Sequence, residues 1–142
     1  MPYGEFPYNV DDKGRVIIPP LFRDFVKNGM VVTRGLEQCL YVFPISKWED
    51  LERELKTSTV TDTASRGFLR YFYSGAAEVK YDTIGRITLP STLRTFANLG
   101  NNVTIAGTPN HLEVWDTDLW NATIASLQAN PPMPEQFSGL VG

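Results

Sequence analysis

The chain has 142 residues, with 13 Lys and Arg against 16 Asp and Glu, a net charge of -3 and a pI near 5.1. Apolar residues make up 42% and charged residues 20%, the balance of a globular rather than a disordered chain. A single cysteine, Cys39, and a single histidine, His111, exclude a disulfide framework, a cysteine-cluster zinc site and a His-rich metal site, although carboxylates alone could still hold a hard cation; no cofactor is expected. Met1-Pro2-Tyr3-Gly4-Glu5 lacks a basic stretch followed by an apolar one, and no apolar run approaches the ~18 residues of a membrane span. The expectation is a cytoplasmic protein without a membrane partner.

In chain order, an extended segment over Tyr3 to Val10 leads into Asp11-Asp12-Lys13-Gly14-Arg15-Val16-Ile17-Ile18-Pro19, and 71 residues later stands Asp82-Thr83-Ile84-Gly85-Arg86-Ile87-Thr88-Leu89-Pro90. Both read Asp-x-x-Gly-Arg, three β-prone residues and Pro, with Arg23 and Arg94 four positions further on. The register persists: Gly4 falls on Gly75, Phe25 on Phe96, and Gly29 on Gly100. After one inserted residue, Leu40 falls on Leu112 and Trp48 on Trp120. The chain is a tandem duplication. In each copy the proline should start a short helix (Leu21, Phe22, Phe25; Leu93, Phe96, Ala97) closed by a left-handed Gly29 or Gly100. Two strands follow, near 30–33 and 40–43, then 103–106 and 112–115.

Ser46-Lys47-Trp48-Glu49 reads as a capping box opening a helix to Lys56, and a second helix from about Asp62 to Tyr73 links the copies. Asp116 should cap a C-terminal helix through Trp120 to Gln128, and Asn130-Pro131-Pro132-Met133-Pro134 should end it in a loose tail. Trp48 and Trp120 suit the core beneath these helices, and Phe68, Tyr71, Phe72 and Tyr73 a core or interface stripe. The division is 5–47 for the first repeat, 48–75 for linking helices, 76–119 for the second repeat and 120–142 for the helix and tail. Halves of this size bury too little alone, so they should interlock into one barrel.

The turns carry the chemistry. Asp11 and Asp82 can accept backbone N–H bonds, Gly14 and Gly85 can take positive φ, and Arg15 and Arg86 then leave at matched positions. An arginine fork binds guanine O6 and N7 or clamps a phosphate. Alternatively, each arginine pairs with its own aspartate and only stabilises the turn. Preservation of the whole pattern in both copies puts the functional reading first. Arg23 and Arg94 are either phosphate contacts or ordinary solvated arginines, and Arg66 and Arg70 a solvated or interface face. Enzymatic readings find no P-loop, dinucleotide fingerprint or nucleophile elbow. Asp11-Asp12 and Glu49-Asp50 read as solvated faces, His111 as a strand or surface residue, and Cys39 as a small buried one.

The Asp-x-x-Gly-Arg-x-x-x-Pro motif resembles the DNA-binding signature of AbrB-type transition-state regulators. Its duplication, with Thr33-Arg34-Gly35-Leu36 and Ser65 to Ala76 between, is similar to the MraZ family over residues 1 to 128. The resemblance implies an α+β, mainly β fold: an intrachain pseudo-twofold swapped-hairpin (AbrB-like) β-barrel with flanking helices. It implies a nucleoid-associated regulator, usually a repressor of its own division and cell-wall gene cluster, binding short tandem repeats of double-stranded promoter DNA as a ring homo-oligomer. The DNA-binding set is then Arg15, Arg86, Lys13, Arg23 and Arg94, with Asp11, Gly14, Asp82 and Gly85 shaping the loops. Ile84 departs from the polar residue usual there, which sets the two loops apart. Barrels of this type also serve as antitoxin dimerisation domains, so a protein-interaction module is the alternative.

Overall fold

The computed structural model describes residues 2–56 and 62–141; residues 57–61 of the linking segment, Met1 and Gly142 lie outside the described residues. β1 (Glu5–Asn9) runs through the first Asp-x-x-Gly-Arg turn into β2 (Arg15–Ile17) and a 3-10 turn at Pro20–Phe22. β3 (Met30–Arg34) and β4 (Leu40–Pro44) follow, then α1 (Ile45–Lys56) and α2 (Thr63–Gly75). The second copy supplies β5 (Ala77–Val79), β6 (Arg86–Thr88), α3 (Ser91–Phe96), β7 (Asn102–Gly107) and β8 (Leu112–Asp116). It ends in α4 (Thr117–Ala129) and α5 (Glu135–Val141).

Strand pairing interlocks the copies as expected. β1 of the first copy pairs with β7 of the second, Glu5 opposite Ala106 and Asn9 opposite Asn102. β5 of the second pairs with β3 of the first, Met30 opposite Val79. β4 and β8 join the two sides, completing an antiparallel sheet in the order β1-β7-β8-β4-β3-β5. β2 and β6 form a separate antiparallel ribbon. Val16 faces its own repeat equivalent Ile87 in the ribbon, and Tyr41 faces its equivalent Glu113 in the sheet. A pseudo-twofold axis must pass through both pairs. The fold is the α+β, swapped-hairpin barrel with flanking helices.

Side-chain alternation along the strands separates two cores. Met30, Val32, Leu40, Val42, Ile105, Leu112 and Val114 face the ribbon residues Val16, Ile18, Ile87 and Leu89 together with Phe22 and Leu93. The opposite face, with Val31, Tyr41, Phe43 and Trp115, is covered by Trp48 of α1 and Phe72 of α2. All five residues of β4 are buried, because this strand is central and has both faces covered. The linking helix docks on β3 through polar bonds: the Thr33 hydroxyl donates to the Phe72 carbonyl at 2.7 Å, Arg34 Nη1 to the Tyr71 carbonyl at 2.7 Å, and the Tyr71 hydroxyl to the Gly35 carbonyl at 2.6 Å.

Several local expectations need correction. Ser46 is not a cap, since α1 already begins at Ile45; that residue's N–H donates to the Gly29 carbonyl at 3.1 Å, so a tertiary bond satisfies the helix entrance. After Pro19 the first copy forms only a 3-10 turn, with Leu21 exposed, whereas Pro90 does precede a helix. Gly29 has φ +113° as expected, but in the second copy Asn98, φ +55°, takes the left-handed place of Gly100. Asparagine tolerates that region. Asp116 occupies the N-cap position of α4 with its carboxylate turned to Gly100, whose N–H donates to it at 3.0 Å. Trp120 is only half-buried, its indole N–H donating to Glu5 at 2.7 Å. The tail closes in the exposed helix α5 rather than staying irregular.

Because β1 and β5 each find their partner in the opposite copy, neither half should exist as a folded monomer. Proteins cut between Lys56 and Asp62 and expressed as separate halves should sediment as unfolded chains or self-associated species, and mixing them should restore the native circular dichroism. A folded monomeric half would contradict the interlocked reading.

Candidate nucleic-acid interface

The two Asp-x-x-Gly-Arg turns are built identically. In each, the glycine N–H closes the turn onto the aspartate carbonyl at 3.0 Å, and the aspartate N–H returns to the arginine carbonyl at 2.9 Å. Asp11 Oδ1 accepts the N–H groups of Lys13 at 3.0 Å and Arg15 at 2.8 Å; Asp82 Oδ1 accepts those of Ile84 at 3.0 Å and Arg86 at 2.9 Å. The second carboxylate oxygen takes the arginine Nε, at 2.7 Å from Arg15 and 2.8 Å from Arg86. Gly14 and Gly85 have φ of +77° and +90°, as the turn reading required.

These bonds hold the aspartates ionised. The Arg86 N–H, more than its side chain, draws the Asp82 carboxyl down to about 2, and the Arg15 N–H likewise lowers Asp11. The arginine–aspartate pairing is therefore real, but it engages only Nε. No protein group among the described residues takes the Nη groups of Arg15 or Arg86, whose side chains are 29% and 30% exposed. Each arginine is thus aimed by its aspartate while its outer fork stays available. Across the ribbon, Arg15 lies opposite Thr88 and Arg86 opposite Ile17, so the two forks leave one small platform at pseudo-equivalent places. Lys13 and Ile84 are both exposed on the turns.

Arg23 and Arg94 do something the sequence reading did not foresee. Arg23 Nε donates to the Ile18 carbonyl at 3.1 Å and its Nη2 to the Ile84 carbonyl at 3.4 Å, so this first-copy side chain lies across the second-copy turn. A Cβ on Gly85 would collide with the Arg23 guanidinium. Reciprocally, Arg94 Nε donates to the Leu89 carbonyl at 3.0 Å, and a Cβ on Gly14 would stand 2.7 Å from the Arg94 guanidinium carbon. The backbone repeats the exchange: the Ile18 N–H donates to the Gly85 carbonyl and the Leu89 N–H to the Gly14 carbonyl, each at 2.8 Å. Both glycines are required twice, by φ and by the arginine lying on them. The linear signal was the equal Gly-to-Arg spacing in both copies; that each arginine reaches the other copy's turn is visible only in three dimensions.

The other chemistry-bearing residues lie elsewhere. Cys39 is buried, which pushes its thiol far above the ordinary range, so it is not a nucleophile. His111 stacks on Tyr41 with ring centres 4.0 Å apart, and its Nε2 is 3.3 Å from Glu113. Burial pushes the Glu113 carboxyl up, but hydrogen bonds from His111 and Trp115 outweigh it and hold the value below the usual one. Of these four residues only His111 was weighed from sequence, and Tyr41 and Trp115 belong to the sheet face covered by α1 and α2. A surface cleft of 360 Å³ is lined by Phe43, Lys47, Asp50, Leu51, Arg53, Glu54 and Asn110, and includes no residue of either turn. No helix among the described residues is long and apolar enough to cross a membrane.

Comparison with known proteins agrees with the duplication. A family model for the MraZ protein, described as antitoxin-like, matches twice, over residues 1–71 and 72–136. The chain is 48% identical over 141 residues to a protein of Deinococcus radiodurans, covering 99% of both. It is 49% identical over 144 residues to one of Thermus thermophilus, covering the full length of both. A protein of Halothermothrix orenii is 42% identical over 125 residues, spanning 88% of this chain and 87% of its own. All three are named transcriptional regulator MraZ.

Two outcomes test the turn. Gly85→Ala should destabilise the protein by about 2 kcal/mol or more, through strained φ and collision with Arg23; adding Arg23→Ala should relieve the collision and leave the strain. Additive losses in a denaturation cycle would show that the two residues do not meet. In a carboxyl NMR titration Asp82 should titrate near 2 rather than 3.8. Its stabilising effect is then complete above the unfolded value and lost only as pH falls through the folded one. Arg86→Ala should leave most of the depression, since the residue-86 N–H is its main cause.

Proposed function

The chain belongs to the MraZ family, and from that premise we propose that it is a sequence-specific double-stranded DNA-binding regulator of transcription. The supporting observation is the ribbon: two arginines whose outer forks meet no group among the described residues, each aimed by a doubly hydrogen-bonded aspartate, at pseudo-twofold positions. A fork of this kind matches the adjacent acceptors O6 and N7 of guanine, and a two-stranded ribbon fits the major groove of B-DNA. In this reading Arg15 and Arg86 reach base edges. Lys13 holds a phosphate, while Arg23 and Arg94 brace the opposite turns and place their charge beside the phosphate path.

The relatives' name supports transcription control; the finer reading is that the chain represses its own division and cell-wall gene cluster from the nucleoid. A net charge of -3 suits weak binding by one subunit. A ring of subunits on short tandem repeats compensates, because linked weak sites act at high effective concentration.

The test is fluorescence anisotropy on the DNA upstream of the chain's own gene against a scrambled duplex, at two salt concentrations. Wild type should prefer the native duplex at both. The double variant Arg15→Ala, Arg86→Ala should lose that preference, at about tenfold or more per arginine contact. Lys13→Ala should weaken both duplexes alike and lower the salt slope by about one. Full preference in the double variant would remove the base-reading role. Native protein that ignores both duplexes and co-purifies with a small partner would move the assignment to a protein-interaction module.

A further inference from the structure

The two turns share a backbone but not a surface. At the position two residues before each arginine the first turn carries Lys13 and the second Ile84, which is 54% exposed. An exposed isoleucine on a turn tip gains nothing from water, and the backbone of this one is hydrogen-bonded on both sides. Its N–H donates to Asp82 at 3.0 Å, and its carbonyl accepts from Arg23 Nη2 at 3.4 Å. Lys13 has only the first of these anchors: its N–H donates to Asp11 at 3.0 Å, while Arg94 donates to Leu89, and no side chain among the described residues donates to the Lys13 carbonyl. The backbone at Ile84 is thus fixed from both copies, and its apolar group stands in the same turn as Arg86.

We infer that Ile84 is a specificity-determining residue that reads a thymine methyl group beside the base reached by Arg86, so that the two turns of one protomer recognise different bases. The inference rests on the base-reading role of Arg86 proposed above. Its chemical ground is narrow: the major-groove edges of B-DNA present hydrogen-bond donors and acceptors and only one apolar group, the C5-methyl of thymine. An alkyl side chain facing that groove can gain a contact only there. A lysine at the equivalent place favours guanine acceptors or a phosphate instead. Each protomer then reads an asymmetric site, thymine-bearing under the second turn and guanine- or phosphate-directed under the first.

The experiment selects duplexes from a randomised pool with the full-length protein, then replaces each thymine of the selected site singly by deoxyuridine, which lacks only the methyl group. Wild type should lose about fourfold in affinity at one deoxyuridine position, the worth of one buried methyl. Ile84→Ala should bind the thymine and deoxyuridine duplexes equally at that position; being exposed, it should melt like wild type. Ile84→Lys, tested the same way, should abolish the thymine preference while retaining the guanine preference tied to Arg15 and Arg86. If every deoxyuridine site is neutral while Arg86→Ala still destroys selection, Ile84 reads nothing and the arginine role stands. If Ile84→Ala keeps the full deoxyuridine penalty, the methyl is read by another residue. If no sequence is enriched at all, the base-reading role itself fails and this inference falls with it.

Discussion

Everything at the ribbon depends on a reciprocal exchange at two glycine carbonyls. Gly85 accepts the Ile18 N–H and lies under Arg23; Gly14 accepts the Leu89 N–H and lies under Arg94. Each turn is therefore completed by the other copy rather than by its own. A single Asp-x-x-Gly-Arg hairpin would have its aspartate bonds and its positive φ, but nothing to stop it tilting relative to the sheet. With the cross-copy bonds, the direction in which Arg15 and Arg86 leave the ribbon is set by the same contacts that bury Ile18, Phe22, Leu89 and Leu93 in the common core. Rigidity at the surface is here a consequence of packing beneath it.

This bears on how the arginine–aspartate pairs are understood. As ion pairs, Arg15 with Asp11 and Arg86 with Asp82 are too exposed to add much stability. Their geometry matters more. The aspartate already holds two backbone N–H groups, so it is fixed before the arginine meets it, and it takes only Nε. A guanidinium anchored at Nε has lost most of its rotamer freedom while keeping its terminal donors, so less entropy remains to be lost on engaging a rigid, planar acceptor pair. The stabilising reading and the functional one, opposed as alternatives at the level of sequence, are compatible, because the aspartate occupies only Nε and the proposed role would use the other nitrogens of the same side chain.

The duplication, the swapped strands and the roles of Asp11, Gly14, Asp82 and Gly85 in shaping the turns were legible because they depend on local spacing and on size. Gly, Pro and Arg recur at a fixed offset, and a half-chain of four short strands cannot bury its own apolar faces. What was illegible has a common physical cause. Arg23 and Arg94 act across the pseudo-twofold axis, the entrance of α1 is satisfied by Gly29 rather than Ser46, and Asp116 turns from its own helix to Gly100. In each case a tertiary partner displaced the local one, and the capping and turn rules describe only local partners. The expected loose tail erred differently. The prolines at 131, 132 and 134 do interrupt helix, but they leave room for a new one after them, and proline immediately before a helix is compatible with its start.

Joining the two copies in one chain has a consequence that a homodimer of single copies could not have. In a twofold dimer every change in one turn appears in the other, so the surface the turns present is bound to be symmetric, and a duplex site that suits such a surface is a palindrome. Covalent duplication removes that constraint while leaving the axis in the fold. In the apolar core between sheet and ribbon the two copies have stayed compatible: Val16 still faces Ile87 across the axis, and Leu40 and Leu112 are both fully buried, whereas on the helix-covered face the axial pair has diverged to Tyr41 opposite Glu113. The exposed positions have diverged. Lys13 stands against Ile84 and Leu21 against Thr92, and a 3-10 turn in one copy corresponds to a helix in the other. Packing demands equivalence of the two halves only where they bury each other, whereas the surface is released from it. The core therefore preserves the ancestral symmetry, and the turns, held to a common geometry by their crossed glycine contacts, are free to differ in what they touch.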